Sequence, residues 1–285
     1  MRKPDASHVK RWATAIVLIP LLLYLVLASA NWFFALVICV VSCIAFFEYY
    51  RIVLHVSGAS FFTVIPMAGF LTGAAIVLVA MSGRFDMICM LISCIFIFSG
   101  AGALCQYKKR PDAIDRVVMQ VMGVVYLSLP MALLVMIHRG PTGNTWILLL
   151  FILVFIGDTG AYYTGTFFGK HKLLPEVSPG KTIEGSLGAM TATVGIGCLV
   201  NLALPHLPWE MNLPRFPWGL ALLFFVIISI CAQAGDLFES LLKREAGIKD
   251  SGVIFPGHGG LLDRIDGVLF ALPIVYLFKT YVFVS

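Results

Sequence analysis

Read as alternating apolar and polar stretches, the chain falls into nine apolar runs with short polar breaks. The runs are Trp12–Ala30, Trp32–Phe47, Phe61–Ser82, Met87–Cys105, Val117–Ile137, Thr145–Phe168, Gly185–Leu204, Trp218–Ala234 and Gly267–Val284. A helix that crosses the hydrocarbon core of a bilayer needs about 20 mostly apolar residues, and runs of this kind supply them. Trp32–Phe47 and Trp218–Ala234 are the shortest, and Asn31 alone divides the first run from the second. Pro20, Pro66, Pro130 and Pro273 fall inside runs and predict kinks, which membrane helices tolerate. The pattern predicts an all-α, polytopic integral membrane protein with about nine transmembrane helices. Residues 1–116 are expected to be a helical scaffold in contact with lipid, and residues 117–285 a second transmembrane domain.

Composition closes off the alternatives. Hydrophobic residues make up 60% of the chain and charged residues 12%, with a mean hydropathy of +0.95. A soluble domain carries about 25% charged residues. A chain this apolar lacks the polar surface to cover itself in water. No cleavable signal pattern or transit peptide is expected: the charged lead up to Arg11 precedes an apolar run of full spanning length. The seven cysteines (Cys39, Cys43, Cys89, Cys94, Cys105, Cys198 and Cys231) lie in or at the ends of apolar runs, and none forms a C-x-x-C pair. They read as buried or lipid-facing thiols, not zinc ligands or disulfides. There is no internal repeat or low-complexity segment. The Pro-rich stretch 205–217 reads as an outer-surface connector.

Charge gives the orientation. Arg2, Lys3, Lys10 and Arg11 fall on one side, as do Arg51, Lys108, Lys109, Arg110 and Arg116. The same side holds Lys170, Lys172, Lys181, Lys243, Arg244, Lys249 and Arg264, sixteen in all. The other side holds four: Arg84, Arg139, Arg215 and Lys279. By the positive-inside rule the N-terminus is cytoplasmic and the C-terminus outside. The loop at 169–184 and the polar block at 236–266 then both face the cytoplasm, where nucleotides and metal ions are available.

That block is the candidate site. If the eighth run continues as helix, Asp236, Glu239 and Lys243 share one face. Asp263 and Asp266 share another if helical. Carboxylates of this kind suit Mg²⁺, which takes one or two of them plus phosphates and water. Lys243, Arg244, Lys249 and Arg264 would supply cations for phosphates beside it. His258-Gly259-Gly260 is a turn of little bulk, either an ordinary interhelical turn or a place where backbone N–H groups approach a phosphate. Ser178-Pro179-Gly180-Lys181-Thr182 precedes the seventh run. Pro175 stands where a P-loop needs Gly, so Lys181 reads either as a phosphate contact at a helix N-terminus or as a membrane-edge anchor. Asp158 lies inside the sixth run. An intramembrane acid is a functional candidate, here lining a polar cavity or bonding a neighbouring helix through Thr159 or Tyr162. Carboxylate–metal with a basic clamp is the apparatus of phosphoryl and nucleotidyl transfer.

Ser240 to Asp266 reads SLLKREAGIKDSGVIFPGHGGLLDRID. With Ser240, Lys243, Arg244, Lys249, Asp250, Gly252, Pro256, His258, Gly259, Gly260, Asp263, Arg264 and Asp266 in place, it resembles the signature of phosphatidate cytidylyltransferases, also called CDP-diacylglycerol synthases. Gly157–Tyr162, Phe168–Lys172, Ser178–Thr182 and Gly235–Ser240 are also similar, so the likeness covers about the second half of the chain. It implies transfer of the cytidylyl group of CTP to phosphatidic acid, with Mg²⁺, by a homodimer, with dimer contacts expected from residues 1–116 and the catalytic transmembrane domain from residues 117–285. It implies metal ligation by Asp236 and Asp263, with room for a second, monovalent cation, and phosphate contacts from Lys243, Arg244 and Lys249. The full candidate set has Asp236, Asp263, Lys243 and Arg244 catalytic and Asp236, Asp263 and Asp266 at the metal. Lys181, Lys249, Asp250, His258, Gly259, Gly260, Arg264, Ser178 and Asp158 are candidates for binding substrate. A bacterial inner membrane is the expected location, with membrane lipid as partner and no nucleic acid.

Two other classes stay in view. A CTP-dependent lipid kinase would transfer the γ-phosphate and release CDP. A transporter would set its charges near mid-membrane in broken, repeated helices, whereas these charges crowd one edge. A CDP-alcohol phosphatidyltransferase is disfavoured because its D-G-x2-A-R-type pattern is missing after Asp266-Gly267.

Overall fold

Helices follow the apolar runs because a backbone without water must satisfy its own N–H and C=O groups. The computed structural model describes residues 19–54, 64–108, 112–203, 206, 216–252 and 259–283. Its helices are α1 (Ile19–Ala28), α2 (Asn31–Val53), α3 (Val64–Val79, ending in a 3-10 turn at Ala80–Ser82), α4 (Phe85–Gln106), α5 (Ala113–Gly123), α6 (Leu129–Arg139) and α7 (Gly143–Phe168). A two-stranded hairpin follows, β1 (Lys172–Leu174) and β2 (Ser178–Thr182), then α8 (Ile183–Ala203), α9 (Trp218–Glu245) and α10 (Leu262–Leu277). Among the described residues seven helices are long and apolar enough to cross a membrane, with Ile19–Ala28 and Pro66–Ser82 shorter. The protein is a polytopic, nearly all-helical membrane protein.

Three helices outrun the apolar pattern. α2 continues past Phe47 to Val53, so Glu48 is helical. α9 continues past Ala234 to Glu245, carrying Asp236, Glu239 and Lys243 on one helix. α10 begins at Leu262, which puts Asp263 and Asp266 in its first turns. Hydropathy ends a run at its first polar residue, but a helix persists wherever packing supplies partners. α5 passes into α6 through π turns at Val124–Ser128. Pro130, which lacks an N–H, lies two residues on, so the regular ladder changes close to where a donor is missing.

The described residues form two compact units. One comprises residues up to Met136 together with Ala246–Arg264; the other comprises Ile137–Glu245 and residues from Ile265 onward. In the first, Tyr49 on α2 donates to the Met119 carbonyl at 2.9 Å. Gly123 leaves room for the Tyr49 ring, and Gly73 for Phe46. Ser99 on α4 donates to Gln120 on α5 at 2.8 Å. In the second unit, α7 and α8 pack through small residues. A Cβ at Gly157 would meet Thr193 at 2.7 Å, and one at Gly160 would meet Ala192 at 2.6 Å and the Gly188 carbonyl at 2.7 Å. Close helix approach of this kind replaces the hydrophobic drive that lipid removes. Trp146, Phe216, Phe224, Phe278 and Phe283 form an aromatic cluster, with Phe216 and Phe283 stacked at 4.1 Å. All seven cysteines are free thiols.

Candidate active site

The hairpin was not legible as a strand pair from sequence. The sequence predicts Ser178–Thr182 as a lead into a helix; it is β2, pairing antiparallel with β1. α8 starts immediately after it, and Thr182 caps the helix by accepting from the Gly185 N–H at 3.1 Å. Glu184 turns back and accepts from the Lys170 and His171 N–H groups, with His171 Nδ1 2.6 Å from its carboxylate. The N-terminus of α8 is therefore closed by protein groups. Lys181 is displayed by the strand, not by a helix terminus.

Lys181 pairs with Asp236 across 2.7 Å. Both line a cavity of about 420 Å³ in the second unit, together with Asp158, Tyr162, Ser186 and Gln233. That volume lies in the usual range for small-molecule sites, about 300–1,000 Å³. Asp158 lines this cavity, and the Thr159 hydroxyl turns to its own helix, donating to the Phe155 carbonyl at 2.8 Å. Ser186 donates to Gln233 at 2.5 Å, placing a hydroxyl–amide pair on the wall. Neither residue stood out in the sequence, because a lone Ser or Gln in an apolar run is commonplace. One turn beyond Asp236, Glu239 is 1% exposed and pairs with Lys243 at 2.5 Å. Arg244 Nε donates to the Val177 carbonyl at 3.1 Å and ties α9 to the hairpin.

Asp266 accepts from the Gly267 N–H at 2.7 Å and lies within electrostatic reach of Asp236, Asp158 and Lys243. Gly235 permits this approach, since a Cβ there would strike the Asp266 carbonyl oxygen. The cluster holds four acids (Asp158, Asp236, Glu239, Asp266) against two ammonium groups (Lys181, Lys243). Among the described residues no three His, Cys, Asp or Glu side chains converge into a ready-made metal cage. One or two carboxylates in an acid-rich cavity is nevertheless the donor set that fits Mg²⁺, which keeps waters and substrate phosphates as its other ligands.

Most of the remaining candidates lie in the first unit. Asp263 Oδ2 accepts from the Ser251 N–H at 3.1 Å, the Ser251 hydroxyl at 2.9 Å and the Gly260 N–H at 2.8 Å. Gly259 has φ +81°, and a Cβ there would meet Asp263 Oδ2 at 2.7 Å, so both its conformation and its space require glycine. The Gly260 N–H, considered for a phosphate, is turned to Asp263. The N–H groups of Leu261 and Leu262 go to Glu48, at 3.0 and 2.8 Å. Glu48 was missed. Lys249, Asp250 and Arg264 are exposed. His258 lies outside the described residues, and Ser178 opens β2 opposite Leu174 without lining the cavity.

Comparison with known proteins bears on this site. A model of the cytidylyltransferase family matches residues 9–282. The phosphatidate cytidylyltransferase of Staphylococcus epidermidis is 44% identical over 133 residues, 47% of this chain and 48% of that protein. That of Staphylococcus haemolyticus is 45% identical over 133 residues and that of Staphylococcus aureus 46% over 134, with the same coverage. The chain spans about half the length of the relatives it matches.

Proposed function

Because the chain belongs to the cytidylyltransferase family, we propose that it transfers the cytidylyl group of CTP to phosphatidic acid, giving CDP-diacylglycerol and pyrophosphate. The observation that carries this reading is the cavity where Lys181 and Asp236 meet opposite Asp158. A phosphate oxygen of phosphatidic acid attacks the α-phosphorus of CTP. The new P–O bond forms as the bond to the β-phosphate breaks, and pyrophosphate leaves with the electron pair. The attacking phosphate is already ionised near neutral pH, so no general base is required. Two polyanions must meet, and the chain's own task is to screen them. Lys181 and Lys243 hold phosphate oxygens and Arg244 adds positive charge beside them, while Lys249 and Arg264 are the cations that the first unit offers to phosphate. Asp236 and Asp266 in the second unit, and separately Asp263 in the first, are the carboxylates that would serve Mg²⁺ in this reading. When bound, that ion neutralises charge building on the departing pyrophosphate. The Lys181–Asp236 ion pair suits this work because each partner can exchange the other for a ligand, phosphate for the lysine and cation for the carboxylate.

The site and N-terminus face the cytoplasm in this reading, in a bacterial inner membrane. Two contacts support the charge-based orientation. Lys279 sits beside Gly140, as expected if Arg139 and Lys279 share a side, and Arg244 reaches the hairpin that carries Lys170, Lys172 and Lys181. The homodimer, and contact of bilayer lipid with residues 1–116, belong to the same reading and rest on the family resemblance.

The test is turnover by purified protein in detergent with phosphatidic acid, Mg²⁺ and α-labelled CTP. Label moving into lipid with release of pyrophosphate, both lost in Asp263→Asn, is the expected result. Label left in water as CDP, with the γ-phosphate on lipid, would identify a lipid kinase. No CTP consumption by folded protein would turn attention to transport.

A further inference from the structure

Glu48 is 2% exposed, on a helix whose apolar pattern stops one residue before it. Among the described residues no Lys, Arg or His pairs with it. A buried carboxylate is costly unless its oxygens are hydrogen-bonded. Its bonds all go to one place. Oε1 accepts from the Leu261 N–H at 3.0 Å, and Oε2 accepts from the Leu262 N–H at 2.8 Å and the Ser251 hydroxyl at 3.2 Å. These groups belong to the start of α10. The first N–H groups of a helix have no intrahelical partner, and a Ser, Thr, Asp or Asn at the N-cap usually meets them. Leu261 stands at that position and has no acceptor to offer. The cap comes instead from a residue more than 200 positions earlier, and its negative charge also suits the positive end of the helix.

The same contacts reach Asp263. The Ser251 hydroxyl has one hydrogen and lies between two carboxylates, 3.2 Å from Glu48 and 2.9 Å from Asp263. Gly260 serves both as well. Its N–H bonds Asp263, and a Cβ on it would collide with Ser251 Oγ and approach Glu48 Oε2 at 2.6 Å. Gly252 leaves the same space on the other side, where a Cβ would run into the Glu48 carboxylate. The packing has room for a carboxylate at this point and little else.

We propose that Glu48 is a positioning residue for Asp263: by fixing the Ser251 hydroxyl and the first amides of α10, it sets the direction in which the Asp263 carboxylate points. The inference rests on the reading above in which Asp263 holds Mg²⁺. Groups that orient a metal ligand typically change metal affinity or activity by about 10- to 100-fold when removed.

The test uses the full chain in detergent, with Glu48→Gln, Glu48→Ala, Ser251→Ala and Asp263→Asn. In Glu48→Gln, the Mg²⁺ concentration for half-maximal turnover rises about tenfold, and in Glu48→Ala about a hundredfold. KM for phosphatidic acid stays within about twofold of wild type, by the same argument. Ser251→Ala shifts the Mg²⁺ curve in the same direction and less. Amide hydrogen exchange in metal-free protein reads the turn directly: Leu261 and Leu262 exchange at least about tenfold faster in Glu48→Gln, as loss of a charge-assisted bond requires. Folded Glu48 variants with unmoved Mg²⁺ curves and unmoved exchange, beside an inactive Asp263→Asn, overturn the positioning role alone. A smaller folded fraction with an unmoved Mg²⁺ curve per folded molecule also overturns it. Wild-type turnover by Asp263→Asn would instead overturn the reading on which it rests. If neither Glu48 variant folds, Ser251→Ala decides, a shifted Mg²⁺ curve supporting the role and an unmoved one ending it.

Discussion

Glu48 and Asp263 in one unit, and Asp236 and Glu239 in the other, are all helical acids in an apolar protein, yet the partners they show differ in kind. Glu48 and Asp263 both accept from neutral donors, the N–H groups of residues 251 and 260–262 and one serine hydroxyl. Asp236 and Glu239 are satisfied by lysines. Backbone N–H groups are directional and cannot leave, so they fix where a carboxylate points. An ammonium group on a flexible stem can swing away and be replaced. The first arrangement suits holding a geometry, and the second, at the more open Lys181–Asp236 pair, suits exchanging ligands during a reaction.

The contrast is tested most severely at Lys243. Glu239 is fully buried, and taking away its ammonium partner leaves an uncompensated charge. Lys243→Met should lower stability by about 3–5 kcal/mol. Adding Glu239→Leu should recover most of that loss, because replacing both members of a buried pair with apolar groups is often neutral. A thermal melt of the single and double variants checks it. If the double variant stays as unstable as the single, the pair is not the separable unit described here.

Asp236→Asn comes next. The cavity keeps its shape, but a charge beside the reacting phosphates is lost. Turnover should fall by about a hundredfold or more, as when other electrostatic groups are removed from a transition state, with the melting temperature little changed. Retained activity would move the site away from the Lys181–Asp236 pair.

Gly260→Ala should act in the opposite sense, on structure before chemistry. The methyl group meets Ser251 Oγ and Glu48. Overpacking of this kind costs about 1–3 kcal/mol, and the melt should show it. The same substitution at Gly195, mid-helix in α8 with a Cβ that would meet nothing, is the control and should not lower the melt. Equal effects at both positions would mean that the Glu48 pocket is not tight.

How much of this was legible in sequence divides along the same line. The nine apolar runs each hold a helix among the described residues, because hydropathy decides where a backbone must satisfy itself. The acids of 236–266 stood out because charge is rare in such a chain and their spacing is short. Glu48 did not stand out. Its partners are more than 200 residues away, and no local pattern encodes a long-range hydrogen bond. The hairpin at 172–182 was missed for a related reason. Its strands are 3 and 5 residues long, rich in Lys, Pro and Gly, and too short for alternation to register. What forms it is tertiary: Glu184 gathers the amides at its start and Arg244 holds the Val177 carbonyl at its turn.

That last contact gives the smallest and most discriminating prediction. Arg244 is exposed, and two uses are assigned to it, the Nε–H to the hairpin and positive charge to phosphate. Arg244→Ala removes both. Arg244→Lys keeps the charge but has no N–H at the position of Nε, and it cannot form the planar fork. Stability should change by only about 1 kcal/mol in either variant, the scale of one hydrogen bond. Amide exchange across 172–182 should therefore quicken in both. KM for CTP should rise in the alanine variant and recover in the lysine variant. Recovery of KM without recovery of exchange would show that the charge acts on the nucleotide independently of how the hairpin is tied. If lysine restores neither, the hairpin itself delivers Lys181 to the site, and the bond to the Val177 carbonyl matters more to binding than charge on the phosphate does.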